Sequence, residues 1–219
     1  MLGVNVCFHG IGTPRRELEP GEDVYWIDPD TLSRVLDLAV GRTDVRLSFD
    51  DANASDADIA LPRLQERGLV AAFFVVTGRL GRPGSLSACD VRALHAAGMS
   101  IGNHGMTHRP WRGLHPAQQR EELVAARRVL ADLIGAPVQD AALPLGRYDR
   151  RLLGQLRALD YRSVHTSDRR WARTGDWLQP RYSIRRGDTA LSVQQDVLRR
   201  PPVSSRARAA VVGAAKRWR

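Results

Sequence analysis

An α/β fold with a parallel sheet is predicted by three features of this sequence. Short apolar runs recur along it, such as residues 45–49 and 70–76. Between them lie segments with helix start and stop signals, for instance Asp28-Pro29-Asp30 at one start and Gly68 at one stop. No fixed-period repeat, low-complexity tract or linker breaks the alternation.

Taken in order, residues 2–8 are the first strand. Asp28 caps a helix reaching about residue 38, with Pro29 in its first turn. Residues 45–49 are the second strand, and Ser55 caps a helix running to residue 67. Residues 70–76, dense in Phe and Val, are the third strand. Ser87 starts a helix ending at Gly98, and residues 99–102 are the fourth strand. The longest helix covers 116–134 and is stopped by Gly135 and Pro137. A strand at 138–143, a helix at 150–159 and a strand at 161–166 follow. Residues 180–184 make a seventh strand, and a last helix covers about 192–199. Such units build either an open doubly wound sheet or a closed barrel; periodicity does not choose.

A chain of 219 residues buries one sizeable core but not two large ones. One domain over 1–199 and a basic tail over 200–219 are the expected organisation. Hydrophobic residues make up 43% and charged residues 26%, ordinary values for a globular protein. No apolar run approaches the roughly 20 residues of a membrane span. Residues 1–8 lack a basic start and lead into His9-Gly10-Ile11-Gly12, which reads as a strand and not as a signal peptide. Cytoplasmic residence is the expectation. Cys7 and Cys89 do not form a disulfide framework. The net charge of +9 is nearly all arginine spread along the chain, with Lys216 the single lysine. That dispersion argues against a nucleic-acid partner; the dense tail with Trp218 offers at most a weak membrane-surface contact.

Two motifs carry chemistry. Asp50 and Asp51 follow an apolar strand, where reactive groups collect in parallel α/β folds. Like charges so close need a positive partner, and a metal supplies one while leaving the second carboxylate free to take a proton. The alternative is a helix cap. His104 and His108 stand four apart after another strand, a spacing that lets both imidazoles reach one divalent ion. A third segment, Leu143-Pro144-Leu145-Gly146, closes a strand and leaves backbone N–H groups free to meet an oxyanion, unless it is a plain turn.

The order and spacing of these motifs resemble the polysaccharide deacetylase family, the NodB-homology carbohydrate esterases. Ser48-Phe49-Asp50-Asp51-Ala52 is similar to the family's TFDDG, and His104-Gly105-Met106-Thr107-His108 to its H-[ST]-x-x-H. Ala142-Leu143-Pro144-Leu145-Gly146 is similar to its Arg-less third motif, and Ala71-Ala72-Phe73-Phe74-Val75-Val76 to its ATFFV strand. The resemblance implies an α/β fold of a particular kind, a distorted (β/α)7 TIM-like barrel of mostly parallel strands. It implies a hydrolase that removes N-acetyl groups from an N-acetylated carbohydrate, a glycan or glycan precursor. On that likeness Asp51, His104 and His108 hold a divalent metal, zinc by preference. Asp50 is the general base toward a metal-bound water, and a backbone N–H at Leu145, beside Pro144, meets the oxyanion.

The chain departs from the family at four points. Ala52 replaces the motif glycine, Gly105 the Ser or Thr beside the first ligand, and Ala142 the arginine that orients the base in relatives. No LxH motif follows Arg181, so the family's general acid is missing. His9 and His165, both at predicted strand ends, are the candidates to replace it, against a purely structural role for each. Arg181, after Gln179-Pro180, is a candidate to replace the arginine, and Trp171 to stack on a sugar ring. The missing acid also motivates an alternative, a catalytically weakened or inactive carbohydrate-binding relative.

Overall fold

The computed structural model describes residues 1–202, so the expected basic tail lies, but for its first three residues, outside the described residues. The strands are β1 (Leu2–Phe8), β2 (Val45–Asp50), β3 (Ala71–Val75), β4 (Ser100–Asn103), β5 (Asp140–Ala142), β6 (Ser163–Thr166), β7 (Ala172–Arg173) and β8 (Leu178–Ser183). All but β7 run parallel, in the order β2-β3-β4-β5-β6-β8-β1, and β1 pairs back onto β2. A barrel of seven parallel strands results, with helices α1 (Pro29–Asp37), α2 (Leu61–Glu66), α3 (Ala88–Ala96), α5 (Ala126–Ile134) and α6 (Arg150–Ala158) between its strands. The two-residue β7 adds antiparallel to β1 and was not anticipated from sequence.

Strand alternation divides the side chains. Val4, Val6 and Phe8 of β1 join Leu47 and Phe49 of β2 and Phe73 of β3 in a buried layer beneath the helices. The intervening Asn5, Cys7, Ser48 and Asp50 are left for the lumen. Phe49 sits between two neighbours, its ring 5.0 Å from Phe8 and 4.9 Å from Phe73. A second buried layer, with Leu123, Leu143, Leu156 and Val164, covers the opposite side.

Several expectations shift. The helical stretch at 116–134 is present as α4 (Pro116–Gln119), a wide turn (Arg120–Ala125) and α5. Ser55 does not cap its helix; its hydroxyl instead accepts the Ile11 N–H at 3.2 Å, tying the β1 exit loop to the helix start. Strand β8 begins at Leu178, two residues before the expected start, and carries Pro180 inside it. The final helical stretch opens with α7 (Ala190–Ser192), capped by Thr189. Among the described residues no helix is long and apolar enough to cross a membrane.

Phe49 is fully buried between two stacked rings. Phe49→Ala is expected to lower unfolding free energy by roughly 3–5 kcal/mol, read from the urea midpoint at unchanged slope.

Candidate metal centre

The reactive side chains gather at the C-terminal ends of the strands. Strand β2 ends on Asp50, and the chain then turns through left-handed backbone at Asp51 (φ 79°) and Ala52 (φ 61°). Strand β4 ends on Asn103, and His104 follows directly. His108, also left-handed (φ 59°), turns back over the same point.

Asp51 Oδ1 lies 3.1 Å from His108 Nε2 and 3.4 Å from His104 Nε2. Ligand atoms on a tetrahedron with bonds of roughly 2.0–2.1 Å stand about 3.3 Å apart, so these separations suit one shared ion. Asp51 Oδ1 is buried without a hydrogen-bond partner, as an oxygen meant for a cation would be. Each imidazole uses its other nitrogen: His104 Nδ1–H donates to the Ala142 carbonyl at 2.9 Å, and His108 Nδ1–H to Glu19 at 2.8 Å. Both Nε2 atoms are thereby aimed at Asp51. The three residues fit a divalent metal.

The electrostatics agree. Burial would push Asp51 up, but His108 and His104 outweigh it and hold its carboxyl well below the usual range. Burial lowers His108, yet Asp51 and Glu19 override that and lift it to about 10. Metal-free His108 therefore carries a proton that a metal must displace.

Asp50 has its own partner. Arg181 on β8 donates through Nη1 to Asp50 Oδ1 (2.7 Å) and through Nη2 to Oδ2 (2.6 Å), with a further bond to Ser48 Oγ (3.1 Å). Burial raises Asp50, but Arg181 and then His104 prevail and bring it to about 2. The guanidinium beside Asp50 thus comes from β8, and Ala142 on β5 contributes no charge there. Asp50 Oδ2 is also 3.8 Å from His104 Nε2, beside the ligand set.

A cavity of about 190 Å³ opens over these groups, lined also by His9, Tyr25, Leu145, Gly146 and Ser167. The His9 ring packs against Tyr25 with centroids 4.9 Å apart and planes tilted by 31°, and its Nδ1 is buried without a partner. A His9 nitrogen and an Asp50 oxygen lie within 4.8 Å of each other. Burial keeps His9 below its ordinary value. Leu145 sits at the rim in left-handed backbone (φ 55°).

Three candidates are placed elsewhere. His165 shares its strand face with Ser167, but one lumen layer lower. Its Nε2 meets Ser163 Oγ at 3.1 Å, its ring packs on Phe74, and it lines a cavity at the opposite end of the barrel with Asn5 and Arg46. Trp171 is buried in the core and donates its indole N–H to the Val197 carbonyl at 3.0 Å. Pro144 is buried below the rim that Leu145 and Gly146 form. Conversely, Glu19 went unread in the sequence. It lies in the β1–α1 loop, 89 positions from His108, and no local pattern marks such a pair.

The sequence profile of the polysaccharide deacetylases matches residues 38–164. YxkH of Bacillus subtilis (strain 168), provisionally named a polysaccharide deacetylase, is 24% identical over 124 residues, which is 57% of this chain and 44% of YxkH. The chain therefore spans less than half the length of that relative. The Streptococcus pyogenes deacetylase PplD, solved in complex with acetate, superposes with a TM-score of 0.78 at 20% identity over 92% of this chain and 99% of its own. IcaB from Ammonifex degensii gives 0.70 at 22% identity over 88% and 94%. At these identities the likeness is one of fold.

His108 generates a pH prediction. Its raised value stabilises the metal-free fold fully below about 6.5, a contribution lost as pH rises through about 10. Affinity for a divalent metal is expected to run the opposite way, rising with pH, with close to one proton released per ion at pH 7. Calorimetric titration in buffers of differing ionisation enthalpy counts that proton.

Proposed function

The chain belongs to the polysaccharide deacetylase family, and from that membership we propose that it is a metal-dependent hydrolase removing N-acetyl groups from a glycan or glycan precursor. The observation that carries this reading is the convergence of Asp51, His104 and His108 on one point, with Asp50 alongside and tied to Arg181. Two imidazoles and one carboxylate with open positions suit zinc. When bound, the ion would supply Lewis-acid polarisation of the acetamide carbonyl and a water acidified toward neutral pH.

The chain's own groups do the rest. Asp50 receives the proton that the attacking water gives up. Its low value in the resting protein keeps it ionised, and Arg181 fixes both its oxygens so that it cannot rotate away. Arg181 and the imidazoles around Asp50 offset the charge it loses and regains. The Leu145 N–H, at the rim of the cavity, meets the oxygen that gains charge. His9 delivers a proton to the departing amine. Its burial makes the imidazolium a stronger acid, and its nearness to Asp50 lets the proton taken from water return to the leaving group. Tyr25, against His9, offers the aromatic face for a sugar ring that Trp171 does not.

Acetate release from N-acetylated oligosaccharides by zinc-loaded protein tests the reading. Asp50→Asn is expected to retain zinc and lose turnover by roughly 10²–10⁴-fold. His9→Ala is expected to lose roughly 10²-fold in kcat while zinc content holds; an unchanged rate removes His9 from the mechanism. Sugar binding by the zinc-loaded wild type without acetate release would assign the chain to the non-catalytic alternative.

A further inference from the structure

His104 and His108 are joined by Gly105, Met106 and Thr107, and the backbone N–H of each linking residue is taken by a fixed acceptor. Gly105 donates to Asn103 Oδ1 at 2.9 Å, and Met106 and Thr107 donate to the same oxygen, Glu122 Oε2, at 2.7 and 3.3 Å. The Thr107 hydroxyl donates to the other carboxylate oxygen, Glu122 Oε1, and Arg109 Nε stands 3.3 Å from it. The carbonyls are held too, Gly105 by the Thr77 N–H and Met106 by the Gly78 N–H, each at 2.9 Å. Glu122 is completely buried, in the wide turn between α4 and α5. Its backbone is tied to the same loop, since Asn103 Nδ2 donates to the Glu122 carbonyl at 2.9 Å.

A buried carboxylate needs charge-assisted donors, and those of Glu122 come from the ligand loop and the neighbouring Arg109. Gly105 shows how closely the two fit. A Cβ at Gly105 would stand 2.3 Å from Glu122 Oε2 and 2.9 Å from Trp111 Nε1, and the residue has φ +85°. The carboxylate thus fills the space that a side chain beside His104 would occupy.

We propose that Glu122 is the positioning residue of the metal centre. It fixes the spacing of His104 and His108 from within the core and replaces the Ser or Thr that relatives carry at position 105. The proposal rests on the metal-centre reading of Asp51, His104 and His108. It carries a counterintuitive corollary: restoring a serine at position 105 harms the site in this chain.

The test measures the zinc Kd by chelator competition at fixed pH, with thermal unfolding of the metal-free protein beside it. Glu122→Gln keeps the volume and one accepting oxygen, and Thr107→Val alters an exposed residue; both are expected to weaken zinc binding, Glu122→Gln by roughly tenfold. Glu122→Ala is expected to weaken it by up to about a hundredfold; should that variant not fold, Glu122→Gln decides. Gly105→Ser is expected to weaken zinc binding in the wild-type background and to weaken it less in Glu122→Ala, where the collision with the carboxylate is gone and only the left-handed backbone and Trp111 still oppose a side chain. A merely structural role lowers the melting temperature and leaves Kd unmoved. Wild-type Kd in both Glu122→Gln and Thr107→Val overturns the role of Glu122. Failure of the wild type itself to bind zinc overturns the metal-centre reading instead.

Discussion

Asp50 and Asp51 are sequence neighbours, both buried and both held ionised, and positive partners divide between them to make that stable. Arg181 takes both oxygens of Asp50, and the two imidazoles face Asp51. The division is what gives two identical side chains different work. One is committed through both oxygens to a guanidinium; the other keeps a buried oxygen without a hydrogen-bond partner, open to a cation. Burying either alone would cost several kcal/mol, so the remaining architecture can be understood as what brings the right partners to each.

Part of that architecture is backbone strain. Six non-glycine residues among those described have positive φ, and Asp51, Ala52, His108 and Leu145 are four of them. Conformations of this kind cost of order 1–3 kcal/mol each and persist only where surrounding structure fixes them. Here the stacked Phe8, Phe49 and Phe73 hold the strands rigid just before the strained turns. Ala52 stands where relatives have glycine, and its methyl is buried, so packing offsets part of what glycine would have relieved.

The strands and the two ligand motifs were legible because their signals are local: alternation within an apolar run, and carboxylates or imidazoles a few positions apart. The partners were not equally so. Arg181 was read as a candidate through its Gln179-Pro180 context, although 131 positions separate it from Asp50. Glu19 carried no signal, since the long loop that delivers it has no period. Glu122 reads in sequence as one more acidic residue on a long helix, and only the wide turn and the depth of its burial set it apart. His165 was misplaced although its strand ends at Thr166 as expected: the lumen layer a side chain reaches depends on the stagger between neighbouring strands, which alternation within one strand does not carry, and His165 falls in the layer of Asn5 and Arg46. Trp171 was misplaced by composition, because aromatic residues serve cores as readily as mouths.

Arg181 also links chemistry to the order in which the chain is made. Asp50, Asp51, His104 and His108 all lie in the N-terminal half, whereas the guanidinium that pairs with Asp50 sits on β8, the strand that fills the gap between β6 and β1. Without β8, Asp50 lacks its guanidinium partner and the cylinder lacks its final stave. The docking of β8 supplies both at once, so neutralisation of the buried carboxylate and closure of the cylinder are one event.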